Sequence, residues 1–511
     1  MKMIKGKMVG EGAYGKVYLA SSPSQSDDFA VKRNIMESEV DFAGNLREPD
    51  ILLRLKGHPN IVTMHEVIHG APFSVGKCSP TRNGYKDDLV HFVLEKGDKD
   101  LHDFMNSGMK LEDLKSMMVD MLLGLEYMHY NNVLHRDVKP GNFLLFYDVH
   151  DRNRPPIIKY CDFGLSKFYT AQEPQTPRMV TIWYRAPEIA MSKDYDAKVD
   201  IWSLGCVFYE MIVRSPLLRT RSYPGEPEKE NLENLEVILR NLPKRLPPSE
   251  TKKLKAKYKL RLPRGKKRSF HKILFSSPSF EQEFNKKVGD ARTFSKMVMT
   301  MLEFYPSNRP TASELLNNSF FDDFRKHIKN IRRKYLKNCF QDSLVTINNC
   351  VQRKWMANLA FYFYNKHRKG SIRWYKHRIM FQAIDLFDRY LASCDKVVEE
   401  RGQIEYNFLT CIYIAIKYFA TLETPISYID ISEQHFSIAS AREFASDFEK
   451  YLLENVFNYS IYRPTVFEYA DEVEEKLNEC EIVNLLIAYG SCKTFMEVPL
   501  STIYTYLRQK N

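Results

Sequence analysis

Two periodicities divide this chain. Near the N-terminus, Phe29 and Val31 alternate with Ala30 and Lys32 in "FAVKR", the period of two that predicts a strand. Toward the C-terminus the period is helical. In "IDLFDRYLAS", Ile384, Phe387 and Leu391 recur at i, i+3 and i+7 and form one apolar stripe. Helices are predicted over 353–367, 377–393, 405–420 and 441–458, with few strands and no internal repeat in that part. The stretch "FLTCIYIAI" in the third of these is apolar nearly all round, the mark of a central helix. Asp388 lies on the 384–391 stripe, only ~40° around from Ile384 at 3.6 residues per turn. A carboxylate on a buried face is costly unless it is paired, so Asp388 calls for a partner.

The length of 511 residues allows roughly two to four domains, and a hydrophobic fraction of 44 % can bury real cores. The net charge of +11 is unevenly spread: residues 244–272 carry thirteen Lys/Arg against one Glu. That segment is either a solvated insert, a nuclear localisation signal around Pro263–Arg268, or a docking surface for nucleic acid or acidic proteins. The opening "MKMIKGKMVGEG" has no apolar core segment, so no secretory leader is expected. The longest apolar run, 408–416, is too short to span a bilayer. Nine cysteines without a Cys-x-x-Cys pair read as reduced thiols, which leads us to expect an intracellular protein with no membrane partner.

"VGEGAYGKV" sets Gly10, Gly12, Gly15 and Val17 in the pattern G-x-G-x-x-G-x-V, with Glu11, Ala13, Tyr14 and Lys16 between them. Alone, this pattern is equally a flexible turn. Lys32 follows fifteen residues after Val17, where a strand lysine can neutralise phosphates that a glycine hairpin covers. "LHRDVKPGNFLLFY" supplies His135, Arg136, Asp137, Lys139 and Asn142; "KYCDFGLSK" supplies Asp162, Phe163 and Gly164; "WYRAPE" supplies Arg185 and Glu188. In this order and spacing the motifs make residues 1–325 resemble a eukaryotic-type protein kinase. The resemblance implies an α+β bilobal fold, with an antiparallel sheet and one helix (the C helix) in the N-lobe and a mostly helical C-lobe. It implies ATP and Mg²⁺ as cofactors.

By the same resemblance, Asp137 accepts the proton of the substrate hydroxyl, Lys139 stabilises the transferring phosphate, and Asn142 and Asp162 hold Mg²⁺. Residues 10–17 cover the phosphates, Lys32 pairs with Glu48, and Val17, Ala30 and Leu144 sandwich the adenine. Leu94 matches the gatekeeper and Glu95 to Gly97 the hinge. Lys139 with Thr181 matches Ser/Thr rather than Tyr kinases. Pro49 departs from the pattern: either Glu48 is mid-helix and Pro49 costs a helix hydrogen bond, or the helix begins near Pro49. Arg309 is expected to pair with Glu188.

"PRMVTIWYRAPEI" and "YPGEPEKENLENLEVILRNLP" resemble the branch of cyclin-dependent and mitogen-activated kinases. There, an arginine matching Arg185 turns the Val180 backbone away from substrate, which favours proteins with Ser/Thr-Pro sites. The second stretch is expected to form an amphipathic helix carrying Leu232, Leu235, Ile238 and Leu239. Thr176 matches the activation-loop phosphothreonine, with Arg47, Arg136 and Lys167 at the positions that receive its phosphate. Tyr14 matches an inhibitory tyrosine, whose usual threonine neighbour is Ala13 here.

Residues 326–349 read as a basic linker. Residues 350–470 resemble a single all-α cyclin box, on Arg353, Asp388, Ala415, Lys417, Tyr418, Glu449 and the Pro464-Thr465 close. Residues 471–511 are expected to form a short helical remnant. The cyclin-like domain is the implied intramolecular partner, with Lys417 and Glu449 facing the kinase and Asp388 paired with Arg353. The alternatives are an unrelated helical bundle that only docks substrates, and a non-catalytic scaffold.

Overall fold

The computed structural model describes residues 4–335 and 376–393, with 407–408, 410–412 and 414–415; within the first range 13–14, 23–24, 35–38, 70–89, 149, 152–153, 169–180, 192–194, 222, 224–225, 243–245 and 261–268 lie outside the description. The chain divides into two compact units. One holds residues 1–33, 55–169 and 174–339; the other holds 34–54, 170–173 and 340–511.

The first unit opens with a five-stranded sheet of β1 (Ile4–Gly12), β2 (Gly15–Ser22), β3 (Gln25–Asn34), β4 (Met64–His69) and β5 (Val90–Glu95), in the order β1-β2-β3-β5-β4. The alternation in "FAVKR" is real: Phe29 and Val31 are buried and pack with Ala20 and Val93. Short strands β6 (Lys99–Asp100), β7 (Val133–Leu134), β8 (Phe143–Phe146), β9 (Ile157–Tyr160) and β10 (Lys167–Phe168) follow in two small antiparallel sheets.

Among the described residues, the other main elements of this unit are helices. It contains α2 (Leu101–Asn106), α3 (Leu114–Tyr130), α4 (Pro187–Met191), α5 (Lys198–Val213), α6 (Pro227–Asn241), α7 (Pro248–Tyr258), α8 (Phe270–Leu274), α9 (Pro278–Lys287), α10 (Ala291–Met301), α11 (Ala312–Leu316) and α12 (Arg325–Tyr335). Helix α5 is its axis: every residue from Val199 to Ile212 is buried. A Cβ on Gly205 would sit 3.0 Å from the Met301 Cβ, so the missing side chain lets α5 and α10 approach. Helix α6 buries Leu235, Ile238 and Leu239 as its pattern predicts, whereas Leu232 is half-exposed. The Arg309 guanidinium grips Glu188 through two bonds of 2.6 and 2.8 Å, both side chains buried.

The basic stretch after residue 325 begins as a docked helix. On α12, Ile328 is buried and Arg332 donates to both oxygens of Glu126 on α3, at 2.9 and 2.6 Å. Tyr335 meets the His58 ring edge-on at 4.9 Å, and His58 stacks on Tyr127 at 4.5 Å. Burial lowers the His58 pKa to about 3, so this ring is neutral packing material.

In the second unit, α1 spans Glu39–Arg54 with Pro49 inside it. The reading in which the helix starts near Pro49 is therefore corrected. Ten residues of helix precede the proline, which leaves one carbonyl of the preceding turn without its usual donor. Helix α13 (Lys376–Ser393) contains the "IDLFDRYLAS" stripe, with Ile384 and Phe387 buried; the side chain of Asp388 lies outside the described residues. Arg389 pairs with Asp385 at 3.0 Å. Phe387 meets Phe408 edge-on at 5.4 Å, and Asn407 donates to the Tyr390 hydroxyl at 3.0 Å. Every described residue from 407 to 415 is buried, as a helix apolar on all faces requires. Among the described residues no helix is long and apolar enough to cross a membrane.

Candidate active site

The loop between β7 and β8 carries most of the chemistry-bearing side chains, and its shape is fixed from beneath. Asp200, in the first turn of α5, accepts from the Arg136 amide at 2.8 Å, the His135 amide at 2.9 Å and His129 Nε2 at 3.0 Å. Burial opposes ionisation of this carboxyl, but the His129 hydrogen bond and charge and the amide bonds hold it below the usual carboxylate range. His135 Nδ1 accepts from the Asp137 amide at 3.3 Å, so Nε2 carries the proton toward the Cys161 carbonyl at 3.2 Å. Burial lowers the His135 pKa and keeps this neutral tautomer. Arg136 and Asp162 adopt left-handed backbone, at φ 65° and 60°, a conformation that costs energy outside glycine.

Four polar side chains converge above that support. Asp137 Oδ1 accepts from the Thr181 hydroxyl at 2.6 Å and the Thr181 amide at 3.2 Å. Its Oδ2 accepts from Lys139 Nζ at 2.6 Å and Asn142 Nδ2 at 3.0 Å. Lys139 Nζ also donates to Thr181 Oγ1 at 3.2 Å. Asn142 Nδ2 further donates to the Asp137 carbonyl at 2.8 Å, which commits the amide nitrogen and turns Oδ1 the other way. The Cys161 amide donates to the Asn142 carbonyl at 3.0 Å, so Asn142 and Asp162 are tied side by side. Lys32 Nζ reaches Asp162 Oδ1 at 2.7 Å. Burial works against ionisation of Asp162, yet the Lys32 ammonium holds its carboxyl below the usual range. A carboxylate and an amide oxygen at neighbouring positions suit a hard cation such as Mg²⁺.

The residues expected to face the nucleotide come from five strands, β1, β2, β3, β5 and β8. In the β1–β2 hairpin Gly10 pairs with Val17, Glu11 with Lys16, and Gly12 with Gly15. Ala13, Tyr14 and the Glu11 side chain lie outside the described residues. Ala30 pairs with Leu94 across β3 and β5. A Cβ on Gly97 would fall 2.9 Å from the Leu144 Cβ, so the glycine is what allows this close approach. The Glu95 carboxylate takes Lys159 Nζ at 2.8 and 2.7 Å and the Thr63 amide at 2.6 Å.

Lys167 pairs with Leu134, which places it two residues from Arg136 across a two-strand ladder. Arg136 is buried and donates Nε to the Leu165 carbonyl at 2.7 Å. Arg47 and Glu48 sit on α1 in the other unit, Glu48 buried. Thr176, Val180, Arg353, Lys417 and Glu449 lie outside the described residues. Arg185 is buried, with Nη1 donating to Asn231 Oδ1 at 2.8 Å and Nη2 3.4 Å from Glu230 Oε1.

Sequence reasoning missed Asp200, Lys159 and the α6 pair. Asp200 had a visible signal, a lone carboxylate opening the apolar run "VDIWSLG". Lys159 shows only as the polar residue in "PIIKY", and Glu230 and Asn231 had none beyond their place on an amphipathic helix.

The family model described as Protein kinase domain matches residues 3–321, so the chain belongs to the protein kinase family. Cyclin-dependent kinase 4 of Xenopus laevis is 33 % identical over 325 residues, covering 62 % of this chain and 89 % of that protein. Mitogen-activated protein kinase 6 of Arabidopsis thaliana is 36 % identical over 255 residues, 47 % of this chain and 60 % of that protein. A mitogen-activated protein kinase homologue of Nicotiana tabacum is 31 % identical over 328 residues, 61 % of this chain and 76 % of that protein. The chain is thus a protein serine/threonine kinase of the branch that holds the cyclin-dependent and mitogen-activated kinases. Protein kinases as a class act on proteins and use ATP and Mg²⁺.

Proposed function

We propose that this kinase phosphorylates serine or threonine residues that precede proline, and that its own C-terminal segment activates it in cis. The observation that carries the catalytic part is the two-sided engagement of Asp137. One carboxylate oxygen lies 2.6 Å from a hydroxyl, while the other is held by Lys139 and Asn142. In turnover the substrate hydroxyl takes the place beside Oδ1 and gives its proton there. Lys139 then faces the phosphoryl oxygens, and the Thr181 amide, 3.2 Å from Oδ1, keeps its hold on the carboxylate after the substrate displaces the Thr181 hydroxyl. Mg²⁺, when bound, neutralises phosphate charge; Asn142 and Asp162 hold it, and Lys32 orients Asp162. Gly10, Gly12 and Gly15 keep the covering hairpin slim, and Val17, Ala30 and Leu144 enclose the adenine beside Leu94 and residues 95–97. A scaffold without chemistry would have no reason to keep this set intact and mutually bonded.

Activation in cis is supported by the likeness of residues 350–470 to a cyclin box and by α1, with Glu48, belonging to the same compact unit as residues 340–511. Fusion would set the effective concentration of the activator on the order of mM. For a phosphate on Thr176, Lys167 lies opposite Leu134, two residues along the chain from Arg136. The test uses the purified full-length chain without added cyclin. Activity that falls in the Lys417→Glu/Glu449→Lys variant supports the reading, and undiminished activity contradicts it.

A second surface is favoured by α7, where Lys252, Lys253, Lys255 and Lys257 are exposed. We read it as a docking face for acidic protein segments. KM for an acidic protein substrate that rises with salt, against an unchanged KM for a short neutral peptide, supports this; parallel salt dependence of the two contradicts it.

A further inference from the structure

Helix α6 reaches the 181–185 segment through three side chains. Asn234, fully buried, donates Nδ2 to the Ile182 carbonyl at 2.7 Å. Asn231 accepts from Arg185 Nη1 at 2.8 Å, and Glu230 lies 3.4 Å from Arg185 Nη2. The other Glu230 oxygen accepts from the Tyr223 amide at 3.1 Å, which pins the carboxylate before it meets the arginine. The Arg185 side chain is only 5 % exposed, so it does not swing freely in solvent. A guanidinium is a rigid planar fork. Anchoring both Nη atoms fixes its plane and therefore the direction in which the rest of its donors point.

We propose that Glu230 and Asn231 are specificity-positioning residues, which aim Arg185 and thereby set the preference for the residue that follows the target Ser/Thr. This rests on the reading that Arg185 holds the Val180 backbone turned away from the substrate. With its anchors removed, Arg185 releases that backbone, and the Val180 carbonyl becomes available to an incoming N–H. A substrate with alanine after serine then gains a partner for its amide, while a proline substrate gains nothing. The discrimination collapses mainly through improvement of the alanine substrate. A merely structural role for α6 would lower both substrates together.

The experiment measures kcat/KM of the full-length kinase on a Ser-Pro peptide and its Ser-Ala twin. The variants are Glu230→Gln, Asn231→Leu, their double, and Asn231→Asp, which keeps an acceptor for Nη1. The expected result is a wild-type ratio well above one and a roughly tenfold smaller ratio in the double variant, the factor of one charge-assisted hydrogen bond. Most of the change appears on Ser-Ala, and Asn231→Asp keeps the wild-type ratio. A high wild-type ratio left unchanged in Glu230→Gln and Asn231→Leu, or equal losses on both peptides, overturns this inference alone. A wild-type ratio near one overturns the proline-directed reading and this inference with it. If the double variant does not fold, Glu230→Gln carries the test by itself.

Discussion

Replacing Asp200 by asparagine changes one atom and no volume, yet it should disable the kinase. The carboxylate serves three donors: the Arg136 amide on Oδ1, and the His135 amide with His129 Nε2 on Oδ2. An asparagine presents one oxygen and one NH2 group. Whichever way the amide turns, at least one backbone N–H of the catalytic loop faces another donor, and the surviving bonds lose their charge. A hydrogen bond to a charged group contributes about 1.5–3 kcal/mol, so the loop should lose about 2–4 kcal/mol of local support. Amide exchange over residues 134–140 reads that loss directly, as an acceleration of at least about 30-fold. The same slackening displaces Asp137, and a misplacement near 1 Å costs kcat roughly 100-fold. The KM for ATP should move little, because the Lys32–Asp162 contact and the hinge residues are built on other elements. An Asp200→Asn enzyme with unchanged exchange in this segment and kcat within about twofold of wild type would refute the reasoning.

Acid sensitivity follows from the same group. Because the folded Asp200 pKa lies below its ordinary value, its stabilising contribution is complete above about pH 4 and is lost as pH falls through the lower folded pKa. Asp200→Asn should therefore show a shallower loss of stability than wild type on acidification below pH 4, measured by thermal midpoint. Arg309→Lys cannot reproduce the two-pronged grip on Glu188 or the further bonds to the Glu303, Lys198 and Phe304 carbonyls. Lysine keeps the charge but loses the second prong, so the change should cost about 1.5–3 kcal/mol, the scale of a hydrogen bond to a charged group, seen as a lower thermal midpoint with little effect on peptide selectivity. Gly97→Ala drives a Cβ to within 2.9 Å of the Leu144 Cβ. Overpacking of about 1–3 kcal/mol at the adenine position should raise the KM for ATP about tenfold while kcat at saturating ATP stays near wild type.

Motif spacing in the sequence was enough to single out the 135–142 loop, Lys32 and Asp162, which the fold brings together, and the Arg309–Glu188 pair, because each sits in a short signature whose residue types announce phosphate chemistry or a buried ion pair. The sheet was legible where one face is buried, as at Phe29 and Val31. What the sequence concealed is support that comes from far along the chain. Asp200 holds residues 64 and 65 positions away, Lys159 holds Glu95 across 64, and Glu230 and Asn231 reach Arg185 from a separate helix. No local period encodes such partners. Pro49 left two readings open. A proline reads as a boundary from propensity alone, but α1 runs through it, with Glu48 and Asp50 buried on either side. The segment of helix α12 was legible as basic, but its docking through Ile328, Arg332 and Tyr335 was not.

The central claim is that Asp137 receives the proton of a substrate hydroxyl in a self-sufficient chain. Its most direct test is phosphoryl transfer from ATP to a Ser-Pro peptide by the purified full-length protein, with Asp137→Asn measured beside it. The account predicts turnover by the wild-type chain without added cyclin and a loss of roughly 10²–10⁴-fold in kcat for Asp137→Asn, the range of general-base catalysis, with the KM for ATP nearly unchanged. An Asp137→Asn enzyme as active as the wild type would contradict it.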